Sequence, residues 1–192
     1  MAIGRGADDA ALVRETLGGN GEAFGLLYDR YGDALYNFFR HRVSSASLTE
    51  DLVQETFLHV LEALPSYRDE GSFKGWLFQI ARNLLTDTYR QGKRHTESVE
   101  TSLTFQALVE PGATPEETLM AHEQHAEIVA LLAQLAPDDR TVLILRWQEE
   151  MPFGEIARVM GRSEAAVKVL YFRALRRAEK QLRRMGREVP HA

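Results

Sequence analysis

Apolar residues recur along this chain at intervals of three and four, the spacing of one face of an α-helix, and no stretch shows a convincing strand-like alternation. The pattern predicts a first helix from about Asp8 to Leu17, stopping at Gly18-Gly19. A second begins near Glu22 and carries Phe24, Leu27, Tyr28, Tyr31, Leu35 and Phe38 on its inner side. "SLTE", Ser47 to Glu50, has the form of a capping box, in which hydroxyl and carboxylate satisfy each other's backbone amides. The helix behind it is predicted to bury Leu48, Leu52, Val53, Phe57, Val60, Leu61 and Leu64 and to end at Pro65.

The segment "SFKGWLFQIARN", Ser72 to Asn83, begins a further helix. Trp76, Leu77, Ile80, Ala81, Leu84 and Leu85 mark its core face, and the preference of large apolar groups for burial favours Trp76 as core over base contact. Lys74, Gln79, Arg82, Asn83, Thr86, Tyr89, Arg90 and Lys93 fall largely off that face. Gln91-Gly92 closes the unit. Residues 92–113 are polar, acidic and weakly patterned, and read as a linker. "TPEE", Thr114 to Glu117, is a second capping box with Pro115 at the first helical position, ahead of Leu119, Ile128, Val129, Leu132 and Leu135. Pro137 then opens "DDRTVLILRW". The expected fold is all-α: two small helical domains, 1–91 and 114–192, joined by a flexible acidic linker over 92–113.

"EIARVMGRSEAAVKVL", Glu155 to Leu170, has the layout of a helix-turn-helix. Ala157 is small where two helices cross, Gly161 suits a turn with positive φ, and Ser163 can cap the second helix. Ile156, Met160, Val167 and Leu170 supply the core between them. Arg162, Glu164, Ala165 and Lys168 lie near the start of the second helix, where such motifs touch base edges in the major groove. Arg173, Arg176, Arg177, Arg183 and Arg184 follow, placed for phosphates. The competing reading is a small helical hairpin with a solvated basic face.

Charge sharpens this picture. The net charge of −5 argues against nucleic acid, but its distribution does not: Gly161 to Arg187 holds nine cations against two anions, while His95 to Gln134 holds no lysine or arginine and seven glutamates. The absence of cysteine excludes disulfides and thiolate metal sites and fits a reducing cytosol. The N-terminus lacks the apolar run of a secretory signal, and "TVLIL" is too short to cross a bilayer, so no membrane insertion is expected.

Together, the two halves resemble a bacterial RNA polymerase sigma factor of the extracytoplasmic-function group in the sigma-70 family. "LLYDRYGDALYNFFRHR", "DLVQETFLHVL" and "FKGWLFQIARNLLTDTYRQGKR" resemble the domain that binds the −10 promoter element. "LAPDDRTVLILRW", "EIARVMG" and "AVKVLYFRALRRA" resemble the domain that reads the −35 element. The resemblance runs from about residue 8 to 186. It implies that Asp51, Gln54, Glu55 and Leu58 dock on the clamp of the polymerase's β′ subunit, against the plainer reading of a solvated acidic face. The β flap is the second implied polymerase contact.

The resemblance also implies that the loop Pro65 to Lys74 holds a base flipped from the non-template strand, with Tyr67 and Phe73 either stacking on bases or anchoring the loop. Lys74, Arg82, Asn83, Thr86 and Arg90 then line the strand's path. Arg162, Ser163, Glu164, Ala165, Lys168, Arg173, Arg176 and Arg177 are assigned to −35 DNA. Val169 and Leu170 stand where many relatives carry a small polar residue and an arginine. Either the helix reads thymine methyls there, or its face is rotated slightly. The linker either mimics an acidic polymer in the path of nascent RNA or serves as a plain tether.

The expected partners are core RNA polymerase, promoter DNA and a separate anti-sigma factor. The expected location is cytoplasmic, with no enzymatic activity, cofactor or metal. The free protein is expected to bind promoters poorly, being net negative with its domains unfixed. With its last residue at Ala192, the chain is expected to lack the additional C-terminal domain of some relatives. A stand-alone helix-turn-helix regulator with an N-terminal helical sensor domain is the competing function. "HEQH", His122 to His125, places its histidines three apart, one short of the H-E-x-x-H zinc motif.

Overall fold

Asp8 starts the first helix, its carboxylate accepting from the Ala11 amide at 2.7 Å. In the computed structural model, which describes residues 6–43, 45–68, 71–90 and 130–184, every regular element is helical. The elements are α1 (Asp9–Leu17), α2 (Gly21–Arg40), α3 (Ala46–Ala63), a 3₁₀ turn (Leu64–Ser66), α4 (Phe73–Arg90), α5 (Pro137–Trp147), α6 (Phe153–Met160) and α7 (Glu164–Arg184). Residues 130–133 are also helical. The proposed linker, the Thr114–Glu117 box, Leu119, Ile128, Val129 and His122–His125 lie outside the described residues.

Helices α1–α4 close around one core. Leu12, Leu27, Leu35, Leu52, Val60 and Leu77 are fully or almost fully buried in it. Phe38 meets Phe39 and Phe78 edge-on, with ring centroids 5.4 and 5.3 Å away. Each such side chain contributes about 1.5–3 kcal/mol on burial.

Several sequence expectations shift here. Ser45, not Ser47, caps α3, its hydroxyl accepting from the Leu48 amide at 3.3 Å. Ser47 sits inside the first turn. Leu61 is exposed and Leu48 is half-buried. The helix ends at Ala63, and Pro65 falls within the 3₁₀ turn that follows. On α4 the deepest positions are Phe73, Leu77, Phe78, Ala81 and Leu85, so the core face is rotated from the expected one. Trp76, Ile80 and Leu84 are packed at its edge.

In the C-terminal half, α5 packs along α7. Val142, Leu143 and Leu145 of α5 and Val167, Leu170 and Ala174 of α7 are all buried. Between α6 and α7, Gly161 adopts φ +62°, and Ser163 Oγ accepts from the Ala166 amide at 3.3 Å. The helix-turn-helix is therefore formed as the sequence predicts, with Ile156, Ala157, Met160, Val167 and Leu170 buried.

The expectation that the two halves are unfixed does not hold in this structure. Helix α6 lies against α4. Ser72 Oγ donates to Glu155 Oε2 at 2.8 Å, and Arg140 Nη1 donates to the His41 carbonyl at 2.8 Å. Arg42 Nη2 donates to Thr141 Oγ1 at 3.1 Å, and its guanidinium lies 3.7 Å from the centroid of the Phe38 ring. Burial, followed by the nearby Arg140 charge, pushes the Arg42 pKa down to about 9. The approach is close enough that a Cβ on Gly71 would fall 1.7 Å from Arg158 Nη1. Part of what joins the halves is charge on acids and cations dispersed through the sequence, which leaves no periodic signal.

Candidate nucleic-acid and polymerase interfaces

Asp51, Gln54, Glu55 and Leu58 all stand exposed on the outer side of α3, opposite Leu52, Val53, Phe57 and Val60. Spacings of three and four place them on one face. Leu58 is 60% exposed and Leu61 41%, so this side of α3 mixes acids with uncovered apolar groups. Beside it, an open groove of about 860 Å³ between α2 and α3 is lined by Asp29, Asp33, Glu50 and Gln54, with Tyr28 and Tyr36. Acid and exposed leucine together suit a partner surface that is itself cationic and apolar.

The residues expected to hold the −10 strand differ in their surroundings. Phe73 is 2% exposed and packs against Tyr31, so it anchors the loop and is not available to stack on a base. Tyr67 is half-buried against Trp76, centroids 4.7 Å apart. Lys74 and Arg82 leave the core as expected but meet the C-terminal half. Lys74 Nζ is 2.9 Å from Glu149 Oε2, and Arg82 Nη2 is 3.7 Å from Asp138 Oδ1. The Thr86 hydroxyl donates back to the Arg82 carbonyl at 2.9 Å. Asn83 and Arg90 remain exposed, Arg90 within 3.7 Å of Asp87.

Glu149, Glu155 and Asp138 were not anticipated as site residues. The sequence signal for them is weak: Asp138 and Glu149 each stand in a short acidic pair and Glu155 alone, within the more basic half, and none belongs to a spaced motif. Glu149 is turned inward by a tight bend in which Glu150 adopts φ +54°, an uncommon value for a residue with a side chain.

On the helix-turn-helix, Arg162, Ser163, Glu164, Ala165, Lys168, Arg173, Arg176 and Arg177 are all exposed. Their charges are not equally available. Arg162 pairs with Asp138, and Arg177 pairs with the buried Asp139. Lys168 Nζ lies 2.6 Å from Glu164 Oε1. Arg173 and Arg176 form no ion pair among the described residues. Leu170 is a core residue at 2% exposure, whereas Val169 is 67% exposed. On this helix Val169 points outward and Leu170 inward.

Residues 27–95 match sigma-70 region 2 and residues 125–177 match sigma-70 region 4. SigX of Bacillus subtilis, an extracytoplasmic-function sigma factor, is 32% identical over 88% of this chain and 88% of its own length. The chain belongs to the extracytoplasmic-function sigma factors.

BldN of Streptomyces coelicolor, another member, is 33% identical over 86% of the chain, and the match spans 62% of BldN. Among solved structures, CnrH in complex with the cytosolic domain of CnrY matches with a TM-score of 0.69 and 28% identity, over 91% of this chain and 96% of that one. RpoE of Bartonella quintana, in complex with the anti-sigma factor NepR, shares the fold at a TM-score of 0.62 and 22% identity, covering 83% and 96% of the two chains. In this sigma factor the region 2 and region 4 matches fall on the two helical halves. No helix among the described residues is long and apolar enough to cross a membrane.

Proposed function

We propose that this sigma factor binds core RNA polymerase and directs it to promoters, the C-terminal half reading duplex −35 DNA and the N-terminal half holding the melted −10 strand. One observation carries the reading: two cationic helix faces, on α4 and on α7, stand on separate units of a single chain. A stand-alone regulator needs the second face but has no use for the first.

Docking to the polymerase runs through Asp51, Gln54, Glu55 and Leu58. The strand path runs through Lys74, Arg82, Asn83 and Arg90, with Tyr67 as the remaining aromatic. In the free protein Glu149 and Asp138 hold Lys74 and Arg82, as strand phosphates would. The halves must therefore part before the strand can reach α4. Polymerase drives this step if it binds the parted form more tightly, since a ligand shifts an equilibrium only by its differential affinity. The protein acts by binding, without catalysis, cofactor or metal. It works in the cytoplasm and is restrained by a separate anti-sigma protein, the role that NepR has for RpoE of Bartonella quintana.

The test is reconstitution with core polymerase on a library of genomic fragments, with start sites mapped. Initiation at a small set of defined positions, dependent on this chain, is the expected result. Specific, tight binding of a duplex by the chain alone, with no polymerase-dependent initiation, favours the stand-alone regulator and overturns the reading.

A further inference from the structure

Helix α7 turns Val167, Leu170, Ala174 and Ala178 into the core. On a helix of 3.6 residues per turn, the ridge diametrically opposite runs through Ala165, Val169, Phe172 and Arg176. This ridge points farthest from the body of the protein and enters a groove first. Its leading part is apolar. Val169 is 67% exposed and Phe172 59% exposed, and neither side chain has a group able to form a hydrogen bond to a base. The Phe172 ring is held in place: it meets Tyr171 edge-on at 5.4 Å, and the Tyr171 hydroxyl accepts from Trp147 Nε1 at 3.0 Å.

The flanks have the opposite character. Lys168 projects on one side of the ridge and Arg173 on the other, and Arg176 continues it. Arg173 and Arg176 meet no anion among the described residues. An apolar ridge between cations matches a duplex groove, with phosphates at its rims and base edges on its floor. A protein partner would more readily explain a broad apolar patch without unpaired arginines around it.

The floor of the major groove offers one apolar group, the C5-methyl of thymine. Above a guanine, adenine or cytosine edge, Val169 and Phe172 displace water from donors and acceptors and return no hydrogen bond. Above thymine they bury a methyl. We infer that Val169 and Phe172 are specificity-determining residues that select thymine in the −35 element through its methyl group. The inference rests on the reading that α7 lies in the major groove at −35.

The test uses the polymerase holoenzyme on a promoter identified by start-site mapping. Each thymine of the −35 element, on either strand, is replaced singly by deoxyuridine, which removes only the methyl. Promoter binding is expected to weaken about threefold to fivefold at one or two positions, as for loss of one buried methyl. Val169→Ala and Phe172→Ala should each abolish the sensitivity at one of those positions. Both sites are largely exposed, so the variants should fold, which circular dichroism checks.

The inference is overturned if the −35 element contains no thymine, if every uracil substitution is silent, or if both variants retain the wild-type uracil response. It is also overturned if the variants lose polymerase binding while the uracil substitutions are silent, which makes the ridge a protein contact. Failure of the underlying reading looks different: scrambling the whole −35 element then has no effect.

Discussion

Lys74 and Glu149 form an ion pair between the two halves of the sigma factor, with Nζ 2.9 Å from Oε2 and a second bond from Nζ to the Glu149 carbonyl at 2.8 Å. The Glu149 side chain is 5% exposed, so its charge has little recourse to water. Losing one partner of such a pair costs about 1–3 kcal/mol once the partial exposure of Lys74 is allowed for. Glu149→Lys sets two cations against each other and should part the halves. The expected outcome is a larger radius of gyration by small-angle scattering and tighter binding of a single-stranded −10 oligonucleotide. If both measurements match wild type, this pair does not govern access to α4.

Asp51 lies on the acidic and apolar face of α3. Asp51→Arg should abolish co-purification with core polymerase and leave helicity unchanged by circular dichroism, because the Asp51 side chain is exposed. Normal polymerase binding by the variant would move the docking surface elsewhere.

Arg173 and Arg176 form no ion pair among the described residues, while Lys168 is already paired with Glu164. Each phosphate contact releases counterions, so Arg173→Ala and Arg176→Ala should each lower the slope of log affinity against log salt by about one unit. Lys168→Ala should lower it by less. Equal slopes for wild type and the two arginine variants would remove these residues from the phosphate contacts.

Gly161 stands at φ +62°, and nothing lies within 4 Å of where its Cβ would be. Substitution there meets no steric neighbour and acts through the backbone alone. Gly161→Ala should destabilise the C-terminal half by about 1–2 kcal/mol, and Gly161→Asn by less, since asparagine tolerates the left-handed region better. Chemical denaturation would show this, and equal stability of all three proteins would contradict the turn geometry.

Tyr31 is buried and donates to Asp9 Oδ2, and burial first, then that hydrogen bond, raises its pKa above 10.0. The folded state therefore holds the phenolic proton more tightly than the unfolded state. This contribution is complete below pH 10.0 and is lost as pH rises through the folded value. Tyr31→Phe should be less stable at neutral pH and lose less stability on going above pH 10.0. Parallel stability curves in alkali for the two proteins would show that Tyr31 does not make this contribution.

Much of this fold was legible from spacing. The helix-turn-helix was readable because Gly161, Ser163 and the buried positions around them obey local rules. The outward face of α3 was readable because a helix sorts residues three and four apart onto one side. The Ser45 cap was missed because only Ser47-Leu48-Thr49-Glu50 has the form of a capping box, whereas Ser45 has Leu48 three residues on and caps through its hydroxyl alone. Phe73 looked equally able to stack on a base or to anchor a loop. Its side chain is the same in either setting, and only the positions of Tyr31, Tyr67 and Trp76 decide between them.

The local periodicity and the two ordered motifs determined that this chain forms helices, which sides most of them bury, the rotated face of α4 apart, and which family it joins. Those features depend on neighbours within a turn or two of chain, and such neighbours are written in order along the sequence. The tertiary structure alone decided that Glu149 and Asp138 close over Lys74 and Arg82. These partners are 75 and 56 residues apart in sequence. Attraction between charges so separated depends on where folding brings them, and no spacing rule encodes that.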